Sequence, residues 1–388
     1  MNKSLSELAV ITYGADYKKN PVGDSTPIIG TGGIMGYTSI ALNEGPAVLT
    51  GRKGSINKPV FIESKFWNVD TIFCVKALTG VDTKWLYYNF LNTNLELLNE
   101  ATGVPSVNTK SLYRLKFNYV DLKTQQKIAK ILSKIDEVIY DTEALIEKYK
   151  AIKAGLLEDL FSRGIDENGK LRPSPHDAPE LYKDSVLGLI PKDWEVVDLK
   201  DLTERIFVGI ATSSSGSYAE KGVLFLRNQN IKENRIDIED VLYIKKEFAD
   251  ANSSKYLEEN DVVSVRTGYP GQSAVVTKEF VGSQTFTTLI TRPNKRFLNS
   301  YFLSYFMNSG FGRKQVLSLQ GGGAQQNLNS GELETLQIFK IRLFEQARIV
   351  EKFQNLELNL LSEEAYLTKL QGIRWGLMED LLSGRVLV

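Results

Sequence analysis

Cysteine and histidine are almost missing from this chain: its 388 residues include one of each, Cys74 and His176. A Cys/His metal cage and an internal disulfide are thereby excluded. A Ser-His-Asp or Cys-His catalytic site has almost nothing to be built from. No apolar run approaches the ~20 residues of a membrane span, and the start, MNKSLSELAVITYG, lacks the apolar centre of a secretion signal. The expectation is a soluble protein of the cytoplasm. Net charge is missing too, because 47 Lys and Arg balance 47 Asp and Glu, and a balanced total gives no hint of a nucleic-acid partner. What is present is ordinary for folded chains, with 42% hydrophobic and 24% charged residues and a length suited to two or three domains.

The chain repeats itself. LKTQQKIAKILSKIDEVIYDTEALIEKYKAIKAGLLEDLFSRG, from Leu122, aligns without a gap to LFEQARIVEKFQNLELNLLSEEAYLTKLQGIRWGLMEDLLSGR, from Leu343, at an offset of 221 residues. In the first copy apolar residues recur at Ile128, Leu132, Ile135, Ile139, Ile146, Tyr149, Ile152, Leu156 and Leu160. Ile349, Phe353, Leu356, Leu360, Leu367, Leu370, Ile373, Leu377 and Leu381 repeat the pattern. Spacings of three and four are the heptad rule of a helix with one apolar stripe. The seam position that fails does so in both copies, as Thr142 and Glu363, and a polar seam residue often fixes register. About 40 residues make a rod of roughly 60 Å, longer than a small domain, so the rods are expected to lie outside the globular parts.

The regions before the rods correspond more loosely. Pro27–Ile34 resembles Leu224–Ile231, Val48–Gly54 resembles Val262–Gly268, and Trp85–Leu91 resembles Tyr301–Met307. Gly103–Asn108 matches Gly323–Asn329 with one gap. Both regions mix short β-branched and aromatic runs with Gly, Pro and Asn punctuation. Between the halves, four of the eleven prolines and the lone His176 fall in a polar stretch that reads as a linker. The expected domains are 1–121, a rod over 122–163, a linker over 164–190, a second globular part over 191–342 and a second rod over 343–388. Antiparallel rods would put two similar binding units at opposite ends, an arrangement suited to two half-sites on duplex DNA.

At this point the sequence resembles the specificity subunit of type I restriction–modification systems. The resemblance rests on the rods ending in GLLEDLFSRG and GLMEDLLSGR, on LGLIPKDWEVVDL leading into the second unit, and on GGGAQQNLNSGELETLQI before the second rod. It covers essentially the whole chain. The first copy departs from the pattern: it has Gly103-Val104-Pro105-Ser106 where the second has Gln325-Gln326, and it starts without a counterpart of Ile190–Trp194. The implied fold is α+β, with two target-recognition domains in a pseudo-two-fold repeat, separated by two long antiparallel coiled-coil helices. The implied function is reading of a split asymmetric DNA site in a bacterial or archaeal cell, by a chain with no catalytic centre of its own. The implied partners are double-stranded DNA, two modification subunits that bind S-adenosylmethionine and methylate adenine, and restriction subunits using ATP and magnesium. A two-armed scaffold binding only proteins is the alternative.

Charge is uneven along the chain. Val262–Gly331 carries seven bases and one acid, whereas Lys232–Asp261 carries five bases and nine acids. Gly45–Val81 holds five bases and two acids, and Ala101–Val120 three bases and no acid. Basic faces suit phosphate contacts. Arg52-Lys53-Gly54 and Arg266-Thr267-Gly268 occupy matching turns, where arginine can pair with guanine and glycine admits close backbone approach. Asn228, Gln229 and Asn230, after Arg227, suit adenine edges; the first copy has Thr31 at the start of that block. Lys58, Lys110, Arg292, Lys295, Arg296, Arg313 and Lys314 complete the expected basic faces. Gln325 and Gln326 could touch DNA or pin their loop. The triple glycine before them lacks the Lys-Ser/Thr of a P-loop. Leu156, Leu160, Trp375, Leu377 and Leu381, near the rod ends, are expected to dock a protein partner. Tyr87, Tyr88, Tyr301 and Tyr305, at helical spacing, are expected in the core or at an interface.

Overall fold

The computed structural model describes residues 1–319 and 327–388. The α-helices among the described residues are α1 (Thr83–Leu91), α2 (Thr109–Tyr113), α3 (Leu122–Ser162), α4 (Lys246–Ala251), α5 (Ser300–Asn308), α6 (Gly310–Leu319), α7 (Ser330–Glu334) and α8 (Leu343–Ser383). The chain divides into two compact units: the first is Met1–Ile146 with Ser362–Val388, and the second is Glu147–Leu361. Each unit therefore takes part of α3 and part of α8.

The same sheets are built in both units. In the first, Ala9–Tyr13, Ile72–Ala77, Ala47–Gly51 and Val60–Ile62 form an antiparallel sheet in that order. In the second, Thr203–Val208, Leu289–Pro293, Val262–Ser264 and Ser273–Val275 repeat it. A second sheet in each unit contains one parallel pair. Ile28 and Ile29 face Trp67 and Asn68 in the first unit, and Phe225 and Leu226 face Gln284 and Thr285 in the second. The central strands Ala47–Gly51, Ile72–Ala77, Val262–Ser264 and Leu289–Pro293 are rich in apolar residues and mostly buried, as central strands require. Ile28 holds in the first unit the register position that Phe225 holds in the second, in agreement with the residue matching from sequence.

The apolar stripe of each long helix is covered partly by the other helix and partly by a globular core. In the first unit Ile128, Ala129 and Leu132 share a core with Met378, Leu381 and Leu382, and with Trp85, Tyr88 and Phe90 of α1. In the second, Leu160 and Phe161 share a core with Ile349, Val350 and Phe353, and with Phe302 and Phe306 of α5. In the first unit early residues of α3 meet late residues of α8, and in the second late residues of α3 meet early residues of α8, so within each unit the paired segments run antiparallel. The expectation of rods standing clear of the globular parts is corrected: the ends of the stripes are core positions.

Two further corrections follow. The stretch 164–190 is not a free linker. Ile165 and Ile190 are buried beside Trp194 in the second unit's core, Tyr182–Ser185 and Gly188–Pro191 form a hairpin, and the Tyr182 hydroxyl donates to the Pro173 carbonyl at 2.5 Å. The helix matching also shifts by one residue. Asp82 caps α1 by accepting from the Trp85 N–H at 2.8 Å, and Asn299 caps α5 by accepting from Tyr301 and Phe302. Gln125 accepts from the Asp82 N–H at 2.8 Å, and Gln346 accepts from the Asn299 N–H at 2.8 Å. With these caps aligned, Tyr88 matches Tyr305. Both are fully buried, as expected, while Tyr87 and Tyr301 are half-buried.

Candidate nucleic-acid interface

In the first unit the strand Ala47–Gly51 ends in a turn at Arg52–Gly54. The Arg52 N–H donates to the Thr71 carbonyl at 2.8 Å, and the Arg52 carbonyl accepts from the Val107 N–H at 3.0 Å. The guanidinium donates through Nη1 to the Asp70 carbonyl at 3.2 Å and lies 5.3 Å from the Tyr13 ring centroid. Such a contact holds the arginine without neutralising it. Gly54 has φ +89°, and a Cβ there would stand 3.4 Å from Thr31 Oγ1. A side chain would thus be strained by φ alone. Thr31 backs the turn. Lys53, Lys58 and Lys110 are exposed, and none has an ion-pair partner among the described residues.

The second unit repeats this turn with different side chains. The Arg266 carbonyl accepts from the Leu328 N–H at 3.0 Å, as Arg52 does from Val107. Thr267 bridges to Asn327, as Lys53 does to Ser106. Gly268 has φ +93°. Asn228 stands where Thr31 does: its Oδ1 accepts from the Arg266 N–H at 3.2 Å, and its Nδ2 donates to Thr267 Oγ1 at 3.0 Å. Tyr269, two residues on, is 78% exposed. Asn108 and Asn329, which close the matched loops, cap α2 and α7 through the Ser111 and Glu332 N–H groups. Gln325 and Gln326 lie outside the described residues.

Several expected base or phosphate contacts are spent inside the protein. Asn230 is buried; it donates to the Asp237 and Asp240 carbonyls and accepts from the Arg227 N–H. It shapes the turn and is withdrawn as a base reader. Gln229 is exposed but donates to Asp240 at 2.6 Å, and Arg227 pairs with the same carboxylate at 2.9 Å. Arg292 is held by Asp261 at 2.8 Å and Glu258 at 2.5 Å, and these charges raise its pKa further against the cost of burial. Arg313 pairs with Glu233. Two bases of the basic stretch thus pair with the acidic stretch before it, which holds Arg292 against its own unit and ties up Arg313. Lys295, Arg296 and Lys314 remain exposed.

The expected partner-docking residues divide. Leu160 and Leu381 are core residues, buried by their own units, so they are corrected to a structural role. Leu156 and Leu377 are half-buried. Trp375 is 69% exposed. Sequence reading missed four groups: the buried Gln125 and Gln346, the aromatic Tyr13 and Tyr269 beside the turns, the Glu345 cluster, and two helix-to-helix ion pairs. The first was available as a glutamine that repeats in both copies. Tyr269 directly follows its turn in the sequence, whereas Tyr13, the Glu345 cluster and the ion pairs depend on residues far apart in the chain.

The fold and the paired turns define a class: a binding protein that builds one recognition unit twice and varies the side chains of its presented turn. The family model described as the type I restriction modification DNA specificity domain matches residues 2–153 and 191–371. The chain belongs to that family and carries its domain twice, and membership assigns it DNA sequence recognition within a type I restriction–modification system. It is 24% identical over 355 residues to the type I restriction enzyme MjaVIII specificity subunit of Methanocaldococcus jannaschii, covering 88% of this chain and 76% of that one. It is also 24% identical over 204 residues to the StySPI specificity subunit of Salmonella potsdam, covering 51% and 44%. Among solved structures it resembles the S subunit from M. genitalium, at 16% identity and TM-score 0.65, with 98% and 96% of the two chains covered. A structure describing assembly and conformational transition of a type I system gives TM-score 0.58 at 15% identity, with 100% and 98% covered. No helix among the described residues is long and apolar enough to cross a membrane.

Proposed function

We propose that each unit reads one half of a split, asymmetric DNA site, and that the chain leaves the chemistry to partner subunits. The observation that supports this is the pair of turns: one backbone arrangement with Thr31, Arg52 and Lys53 in the first unit and Asn228, Arg266 and Thr267 in the second. Equal frames with unequal side chains read unequal half-sites. Modification subunits would bring S-adenosylmethionine and methylate adenine, and a restriction subunit using ATP and magnesium would add cleavage. Trp375, exposed on α8, is the group we assign to meeting such a partner. Mapping adenine methylation in cells with and without the gene tests the reading. The expected result is a two-part motif with an unread spacer that vanishes on deletion; a contiguous motif, or an unchanged map, would overturn it.

Phosphate contacts make a second, separate expectation. Lys53→Ala, Lys58→Ala and Lys110→Ala should each weaken duplex binding nearly equally on all sequences. Each should also reduce the slope of log affinity against log salt by about one. Titration of the assembled complex on specific and random duplexes at several salt concentrations measures both. A slope unchanged in all three variants would place these lysines off the DNA.

A further inference from the structure

In the second unit a continuous chain of hydrogen bonds, largely buried, joins the presented turn to the long-helix segments. The turn is closed by Val265 N–H to the Gln272 carbonyl at 2.8 Å and Gly271 N–H to the Val265 carbonyl at 2.9 Å. Ser273 follows directly, and its hydroxyl donates to the Gly271 carbonyl at 2.8 Å. Asn308, at the end of α5, grips Ser273 on both sides. Its Oδ1 accepts from the Ser273 N–H at 3.0 Å, and its Nδ2 donates to the Ser273 carbonyl at 2.8 Å.

The same Nδ2 donates to Asn234 Oδ1 at 2.8 Å, which also accepts from Ser304 Oγ at 2.9 Å. Asn234 has φ +59°, a left-handed conformation that asparagine tolerates better than most residues. Its Nδ2 lies 3.4 Å from Glu357 Oε1. Glu357 pairs with Lys153 at 2.7 Å and accepts from the Tyr305 hydroxyl at 2.6 Å.

The first unit fills the corresponding space differently. Tyr87 and Leu91 of α1 occupy the places of Ser304 and Asn308, and Tyr87 packs its ring 5.8 Å from Phe61 and 5.2 Å from Tyr88. Apolar packing suffices to hold such a core together. A satisfied buried polar chain adds direction, fixing orientation as well as proximity. We propose that Asn308 and Asn234 are positioning residues that orient the Arg266–Gln272 turn from behind. They thereby set base discrimination at one DNA half-site without touching DNA. The proposal rests on the reading of that turn as DNA-facing.

Methylation mapping with chromosomal variants tests it. Arg266→Ala should relax one half of the motif and so identify the half read by the second unit. Asn234→Gly suits the left-handed backbone and removes only the amide. It should relax the same half, with roughly three- to tenfold more methylation at mismatched bases, and leave the other half unchanged. Asn308→Ser, which keeps a small polar group, gives the same reading should Asn234→Gly fail to fold. Uniform loss of methylation at every site, with no relaxed base, would reduce the residues to stability and overturn the proposal. If Arg266→Ala alters one half and neither amide variant does, the turn reading stands and the positioning role falls. If Arg266→Ala leaves both halves intact, the turn reading itself falls.

Discussion

Glu345→Ala is expected to destabilise the second unit by about 3–5 kcal/mol, because it strands a buried cation and several donors. Glu345 is buried near the start of α8. Its Oε1 accepts from Arg172 Nη1 at 2.5 Å, the Ile165 N–H at 2.9 Å and Trp194 Nε1 at 3.3 Å. Its Oε2 takes Arg172 Nη2 at 3.3 Å. The cluster has no room to relax. Gly164 has φ +64°, and a Cβ there would lie 2.3 Å from Trp194 Cζ2 and 2.4 Å from Glu345 Oε1. Without the carboxylate, Arg172 keeps only the Arg163 carbonyl, at 3.1 Å, and Asp193, at 3.1 Å on the surface side, as hydrogen-bond partners. The stretch that should loosen is the one that reads as a linker in sequence. Hydrogen exchange over residues 164–194, alongside urea unfolding of the full chain, measures this. Glu345→Gln should exchange less than Glu345→Ala, since its amide oxygen still accepts. Native exchange in the alanine variant would show that the segment is held by apolar contacts alone.

That segment shows what sequence can and cannot carry. Pro173, Pro175 and Pro179 in a polar run signal irregular backbone, and the backbone there is irregular. Irregular is not unpacked. The contacts that fold it come from Glu345, more than 150 residues away, and no local window contains both. The same limit explains the charged stretches. Seven bases and one acid in a row of residues mark a basic segment, yet Arg292 finds Asp261 and Arg313 finds Glu233 once the strands are brought together. The repeat was more legible because it is a comparison of the chain with itself. It placed Ile28 against Phe225 and Arg52 against Arg266, and strand register and turn contacts agree. At α1 and α5 the match of residue types runs one residue out of the structural frame. The caps Asp82 and Asn299, and the glutamines that bind them, fix the frame instead. Periodicity gave the long helices, but an apolar stripe does not say which neighbour covers it. A partner helix and a globular core satisfy it equally.

Removing Asp136 or Glu357 should each cost about 2–3 kcal/mol, by leaving a half-buried cation and a buried phenol without their shared acceptor. The two acids are 221 residues apart and do the same work. Asp136 takes Arg374 Nε at 2.5 Å and the Tyr88 hydroxyl at 2.8 Å. Glu357 takes Lys153 at 2.7 Å and the Tyr305 hydroxyl at 2.6 Å. Each acid thus ties one long helix to the other and to the short helix of its own unit. Burial pushes both phenols far above the usual tyrosine range, so they stay protonated donors and these ties should not change with pH near neutrality. In a double-mutant cycle Asp136→Ala and Arg374→Ala should be coupled by more than about 0.5 kcal/mol, whereas Asp136→Ala and Glu357→Ala, in separate units, should add. Absence of coupling in the first cycle would mean that the pair is solvent-screened and contributes little. The repeat also predicts where equivalence ends. Only Glu357 has Asn234 as a further partner. Glu357→Ala should therefore relax the half-site of the second unit as well as lower its stability, while Asp136→Ala, at matched destabilisation, should leave both halves of the motif as they are.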